Sequence, residues 1–205
     1  MKKTILHQKL PINWNDRENL RNKGQFWTPN WVAEAMIAYI IENNDVVFDP
    51  ATGKGAFYEA LLALKKNNPP FYGTDIDAEV LSTEIYKNEN CTVEIRDFIK
   101  TPPKNKFKAI VANPPYIRHH RIDPETKLLL KYLAANITGS TIDGRAGYHI
   151  YFLIQALHLL EVNGKLAFIM PADTCEGKFA TNLWNWISER LCTEPIIPFD
   201  DKAPP

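Results

Sequence analysis

The chain is 205 residues long, with 45% hydrophobic and 23% charged residues and a formal net charge of zero. That composition fits one globular domain with a substantial core and excludes collagen-like, coiled-coil and disordered classes. No apolar run approaches the ~18 residues of a membrane span, the basic start has no apolar stretch behind it, and Cys91, Cys175 and Cys192 are too few and too scattered for a disulfide framework or a CxxC metal site.

The opening stretch to about residue 30 is polar and aperiodic, and residues 1–23 read as an N-terminal extension. Thr28 suits an N-cap and Pro29 a first helical position, so a helix is expected from there through Glu42. Val46–Phe48 reads as a short buried strand, Phe57–Leu64 as a helix stopped by Pro69-Pro70, and Phe71–Thr74 as a second strand. A helix over Ala78–Lys87 and strands at Thr92–Ile95 and Phe107–Ala112 follow. Residues 124–135 and 148–161 read as helices, Lys165–Met170 as a fifth strand, Phe179–Leu191 as a helix and Ile196–Phe199 as a last strand. Strands alternating with helices predict an α/β fold with a mostly parallel sheet, helices on both faces and ligand chemistry at the carboxyl ends of the strands.

The strand ends carry the informative residues. Asp49-Pro50-Ala51-Thr52-Gly53-Lys54-Gly55-Ala56-Phe57 follows the first strand, where two glycines allow a tight turn close to a ligand. Asp75-Ile76 follows the second; Asp75 stands where an acidic residue accepts ribose hydroxyls in nucleoside-binding sheets. Asp97-Phe98 follows the third, a carboxylate that could accept from an adenine amine beside a ring that could pack on the base. Asn113-Pro114-Pro115-Tyr116 follows the fourth, and its two prolines remove two backbone donors and fix the chain rigidly. A glycine turn or a strand-end Asp is weak taken singly; four such features in register are not.

Net charge conceals segregation. Residues 24–99 hold five basic and twelve acidic residues, whereas residues 100–131 hold eight basic and two acidic. The acidic stretch argues against a phosphate-rich cofactor there. The basic one is either a solvated lysine-rich loop or a contact surface for a polyanion.

Together these motifs resemble the S-adenosylmethionine-dependent DNA adenine methyltransferases, of the gamma order in which cofactor motifs precede the catalytic one. The resemblance runs from Gly24 to about Phe199, and Gly24-Gln25-Phe26-Trp27-Thr28-Pro29 matches the N-terminal cofactor motif. It implies a Rossmann-like class I methyltransferase fold over residues 24–205, binding S-adenosylmethionine through Thr28, Pro29, Asp49, Pro50, Ala51, Gly53, Gly55, Phe57, Asp75, Ile76, Asp97 and Phe98. Asn113, Pro114, Pro115 and Tyr116 would be catalytic, and Arg118, His120 and Arg121 would touch the phosphates of DNA whose target adenine is flipped out. Thr52 stands where the family often has Cys. The resemblance also implies restriction–modification chemistry in the cytoplasm, with no metal and no membrane.

The family's last, antiparallel strand and its target-recognition domain have no counterpart before Pro205. A truncated chain, a broken gene or one half of a split enzyme, completed by a recognition domain or second subunit, is therefore expected. A protein-glutamine or RNA methyltransferase sharing the same tetrapeptide, or a non-catalytic cofactor-binding fragment, are the alternatives.

Overall fold

Strand β4 (Phe107–Ala112) shows how the sheet is covered. From Ala109 on, Ala109 and Val111 pack into one apolar cluster while Ile110, between them, packs into another. Side chains alternate across a strand, so a strand with almost every residue buried needs a layer on each face. The computed structural model, which describes residues 27–42, 45–64, 69–172, 174, 181–193 and 197, provides both layers.

Among the described residues, five strands lie parallel in the order β3-β2-β1-β4-β5, with β1 (Val47–Asp49), β2 (Phe71–Asp75), β3 (Cys91–Ile95) and β5 (Leu160–Phe168) around β4. Helices α1 (Asn30–Ile40) and α2 (Ala56–Ala63) cover one face through Ala33, Ile37, Ile40, Tyr58 and Leu61. Helices α3 (Pro124–Thr138), α4 (Tyr148–His158) and α5 (Thr181–Ser188) cover the other through Leu130, Ile150, Ile154 and Leu183. The expected α/β class and two-sided covering are those of the structure. Residues 1–26, most of the proposed last strand and Cys175 lie outside the described residues.

Three local expectations are corrected. Helix α1 starts at Asn30 with Pro29 in the N-cap position and no side-chain cap; the Pro29 carbonyl accepts the Val32 and Ala33 amides, and the Thr28 hydroxyl is engaged elsewhere. The expected helix over Ala78–Lys87 is two 3-10 turns, Ala78–Ser82 and Glu84–Tyr86, separated by Thr83 in extended backbone. Asp77 accepts the Glu79 amide and the Ser82 hydroxyl donates to the Glu79 carbonyl, local bonds that compete with a continuous helix. Strand β5 begins five residues early, at Leu160, because its register against β4 breaks between Phe107 and Ala109. The excursion is taken up at Asn163, whose φ of 61° is one an asparagine tolerates.

Candidate active site

The chain winds outward from β1 through β2 to β3 and then returns to place β4 on the other side of β1. Crossovers leaving in opposite directions open a crevice at the carboxyl ends of β1 and β4. Asp49 and Asn113, one at each of those ends, are the residues that frame it.

The turn after β1 is tied down by hydrogen bonds from β2 and from Tyr86. The Thr52 amide donates to the Thr74 carbonyl, and the Thr74 hydroxyl donates to the Pro50 carbonyl. The Gly53 amide donates to Asp75 Oδ2 at 2.8 Å. The Tyr86 hydroxyl lies 3.2 Å from the Thr52 carbonyl and 3.0 Å from the Gly53 carbonyl, so its one proton is shared between them. Gly53 and Gly55 have φ of 50° and 90°, the left-handed region where a side chain would be strained. A Cβ on Gly73 would come within 2.1 Å of Thr52 Cγ2, so the strand must be bare there for the turn to close on it.

Asp49 is 1% exposed. Its Oδ1 accepts the Ala51 amide at 3.0 Å, but its Oδ2 is buried with no hydrogen-bond partner. Burial pushes this carboxyl up to about 8; the Ala51 N–H opposes that shift and the neighbouring charge of Asp75 adds to it. Ile76, directly after Asp75, is 73% exposed.

At the end of β3, Asp97 Oδ1 accepts the Ile99 and Lys100 amides and so builds the turn that follows. Phe98 is buried rather than open to a cleft. It is 2% exposed and packs between Phe48 and Phe152, with ring centroids at 5.8 and 5.1 Å. Phe57 is likewise a core residue beneath α2.

At the end of β4, the Asn113 side chain is bonded through both ends of its amide. Nδ2 donates to Thr28 Oγ1 at 3.0 Å, and Oδ1 accepts the Tyr116 hydroxyl at 2.9 Å. That hydroxyl also lies 3.0 Å from the Ile169 carbonyl. Burial holds Tyr116 protonated well above the usual phenol range. The Tyr116 ring rests against His149 at 5.6 Å, and His149 Nε2 lies 3.0 Å from Thr174 Oγ1. Pro114 is buried and Pro115 half-buried. Arg118, His120 and Arg121 are exposed around the 3-10 turn His119–Arg121. Among the described residues no cluster of three or more His, Cys, Asp or Glu could hold a metal, and no helix is long and apolar enough to cross a membrane.

Sequence reading missed Tyr86, Gly73, His149 and the Ile169 carbonyl. Only Gly73, a glycine inside a strand, carried a signal of close backbone approach.

Residues 57–204 match the model of the Eco57I restriction-modification methylase family. The chain belongs to that family. It is 28% identical over 193 residues to the Type II methyltransferase M.AccI of Acinetobacter calcoaceticus, covering 89% of this chain and 34% of that protein. It is 28% identical over 179 residues to the Type II methyltransferase M.HincII of Haemophilus influenzae, covering 87% and 34%. The chain thus spans about a third of the length of these family relatives. A class I S-adenosylmethionine-dependent methyltransferase structure from Listeria monocytogenes superposes with a TM-score of 0.62 at 15% identity, over 78% of this chain and 50% of that one. A type I restriction-modification methyltransferase subunit from Streptococcus thermophilus gives 0.62 at 16% identity, over 85% and 42%. The fold is therefore that of the class I methyltransferases. The family match begins at Phe57, so it includes Asn113–Tyr116 and leaves the glycine turn to the fold.

Proposed function

We propose that this chain is the catalytic core of a site-specific DNA methyltransferase of a restriction–modification system, acting on the exocyclic amine of adenine. The reading is supported by family membership and by one geometric observation: Asn113 stands at the crevice end of β4 with its amide gripped at both ends, by Thr28 and by Tyr116.

The crevice suits S-adenosylmethionine. Asp49 offers a buried, unpartnered carboxyl oxygen, and Asp75 and Asp77 add acceptors beside a turn that approaches closely at Gly53 and Gly55. An acceptor-rich site favours a cofactor bearing a sulfonium, an ammonium and ribose hydroxyls over one bearing phosphates. Thr28, Pro29, Asp49, Pro50, Ala51, Gly53, Gly55, Asp75, Ile76 and Asp97 would hold it. When bound, that cofactor supplies an electrophilic methyl group.

The chain's own residues then have a defined task. An adenine amine is a poor nucleophile because its lone pair is delocalised into the ring. The Asn113 Oδ1 and the Pro114 carbonyl each accept one N–H, which orients the lone pair and stabilises the positive charge developing on nitrogen. Rigid prolines keep those acceptors from relaxing. Tyr116, backed by His149, supplies the aromatic face for the flipped base, a contact worth ~1–3 kcal/mol. Arg118, His120 and Arg121 contact the backbone phosphates. The surplus proton leaves to water after transfer.

Methyl-labelled cofactor, incubated with the full chain and adenine-containing duplex DNA, should place label on adenine after digestion to nucleosides. Asn113→Ala should abolish that label. Label on protein, on RNA, or on another base would overturn the proposal, as would an active Asn113→Ala variant.

A further inference from the structure

Asn113 has a problem of identity that its role does not solve. A side-chain amide has nearly the same shape when rotated by half a turn, yet only the oxygen can accept an amine N–H. Something must hold the oxygen towards the substrate side. Among the described residues, the Thr28 and Tyr116 hydroxyls bond to the amide. Thr28, which is 85 residues away in sequence and buried, accepts from Nδ2 at 3.0 Å. Tyr116 donates to Oδ1 at 2.9 Å. A carbonyl cannot stand in for the amide NH₂ towards Thr28 without the Thr28 proton turning inwards. The Tyr116 hydroxyl in turn has an alternative acceptor, the Ile169 carbonyl at 3.0 Å, on backbone fixed to β4 by the bond from the Ile169 amide to the Ala112 carbonyl.

We propose that Thr28 is a positioning residue that fixes which end of the Asn113 amide faces the substrate, and that the Tyr116 hydroxyl is a stand-in for the target amine. Before the base enters, Tyr116 O–H donates to Asn113 Oδ1. When the base arrives, its N–H takes that acceptor and the Tyr116 proton turns to the Ile169 carbonyl. No bond other than hydrogen bonds changes, and the Tyr116 hydroxyl keeps an acceptor at either stage. This assignment rests on the amine-methylation reading, but the arrangement of the amide is a property of the chain itself.

The test therefore has two readouts. In the first, the Asn113 side-chain amide is followed by NMR in ¹⁵N-labelled full chain, its signal identified by its loss in Asn113→Asp. Thr28→Val should collapse the protection of its NH₂ protons from solvent exchange, and Thr28→Ser should restore it. Unchanged protection in Thr28→Val would overturn the proposal whether or not the chain methylates DNA. In the second, single-turnover methyl transfer is measured. Thr28→Val should lower the transfer rate at saturating cofactor ~10- to 100-fold, the scale expected for a misplaced catalytic group, with recovery in Thr28→Ser. Tyr116→Phe keeps the ring and removes the competitor for Oδ1, so it should bind a target-containing duplex at least as tightly as the wild type. An unchanged rate at saturating cofactor in Thr28→Val, or weaker duplex binding by Tyr116→Phe, would overturn the respective half. A wild type that transfers no methyl to adenine would overturn the functional reading instead and leave the NMR result to decide the amide.

Discussion

Asp75 holds the glycine turn in place across the sheet: its Oδ2 accepts the Gly53 amide at 2.8 Å while its Oδ1 accepts the Asp77 amide at 2.9 Å. One carboxylate at the end of β2 thus fixes both the turn after β1 and the chain after β2. Replacing it should loosen both. Asp75→Ala should cost ~1–3 kcal/mol of stability, the penalty for leaving buried amides unpaired, and weaken cofactor binding more than Asp75→Asn, which keeps an acceptor. Denaturant titration and calorimetry check the two effects.

Gly73 and Thr52 are coupled by contact. Gly73→Ala places a methyl 2.1 Å from Thr52 Cγ2, an overpacking that should cost ~1–3 kcal/mol. Thr52→Ser removes that methyl while keeping the hydroxyl. The double variant should regain most of the loss, and a double-mutant cycle of denaturation midpoints measures the coupling. Additive effects would exclude the contact as the cause.

Tyr86 clamps the same turn from the 3-10 segment. Tyr86→Phe leaves the ring in the core but removes the proton shared by the Thr52 and Gly53 carbonyls. A loss of ~1 kcal/mol in stability and faster amide exchange at Gly53 and Lys54 are the expected outcomes. Hydrogen-exchange mass spectrometry localises them.

Asp49 sets a pH dependence of defined sign. Its carboxyl sits at about 8 in the folded chain against an ordinary 3.8. The folded state therefore keeps a proton that the unfolded chain releases between those values. The stabilisation is complete below the unfolded value and is lost as pH rises through about 8, so stability should fall across that window. Asp49→Asn, neutral at every pH, should flatten the profile. Denaturation curves from about pH 5 to about pH 9 decide it.

Phe98 tests a correction. If the ring fills the core between Phe48 and Phe152, Phe98→Ala should cost ~3–5 kcal/mol. A ring lining a cofactor cleft would instead give near-normal stability with a specific loss of affinity.

What the amino-acid order determined is the framework. The β1, β2 and β4 runs are short, largely apolar and end at Asp or Asn, and burial on two faces leaves such runs few alternatives to a parallel sheet. The strand-end placement of Asp49, Asp75 and Asn113 was legible for the same reason: the chain must turn where the apolar run stops, and the sheet gathers those turns on one edge. Tertiary structure decided how each strand-end residue is used. Asp97-Phe98 divides, the carboxylate to a turn and the ring to the core. The Ala78–Lys87 segment forsakes a helix for two tight turns, and the second carries Tyr86, which reaches the glycine loop. Thr28 reads locally as a helix cap, yet its hydroxyl meets Asn113. Local preference is worth about 1 kcal/mol at such a position. A hydrogen bond between residues 85 apart exists only after the sheet has closed, and no pattern along the chain encodes it.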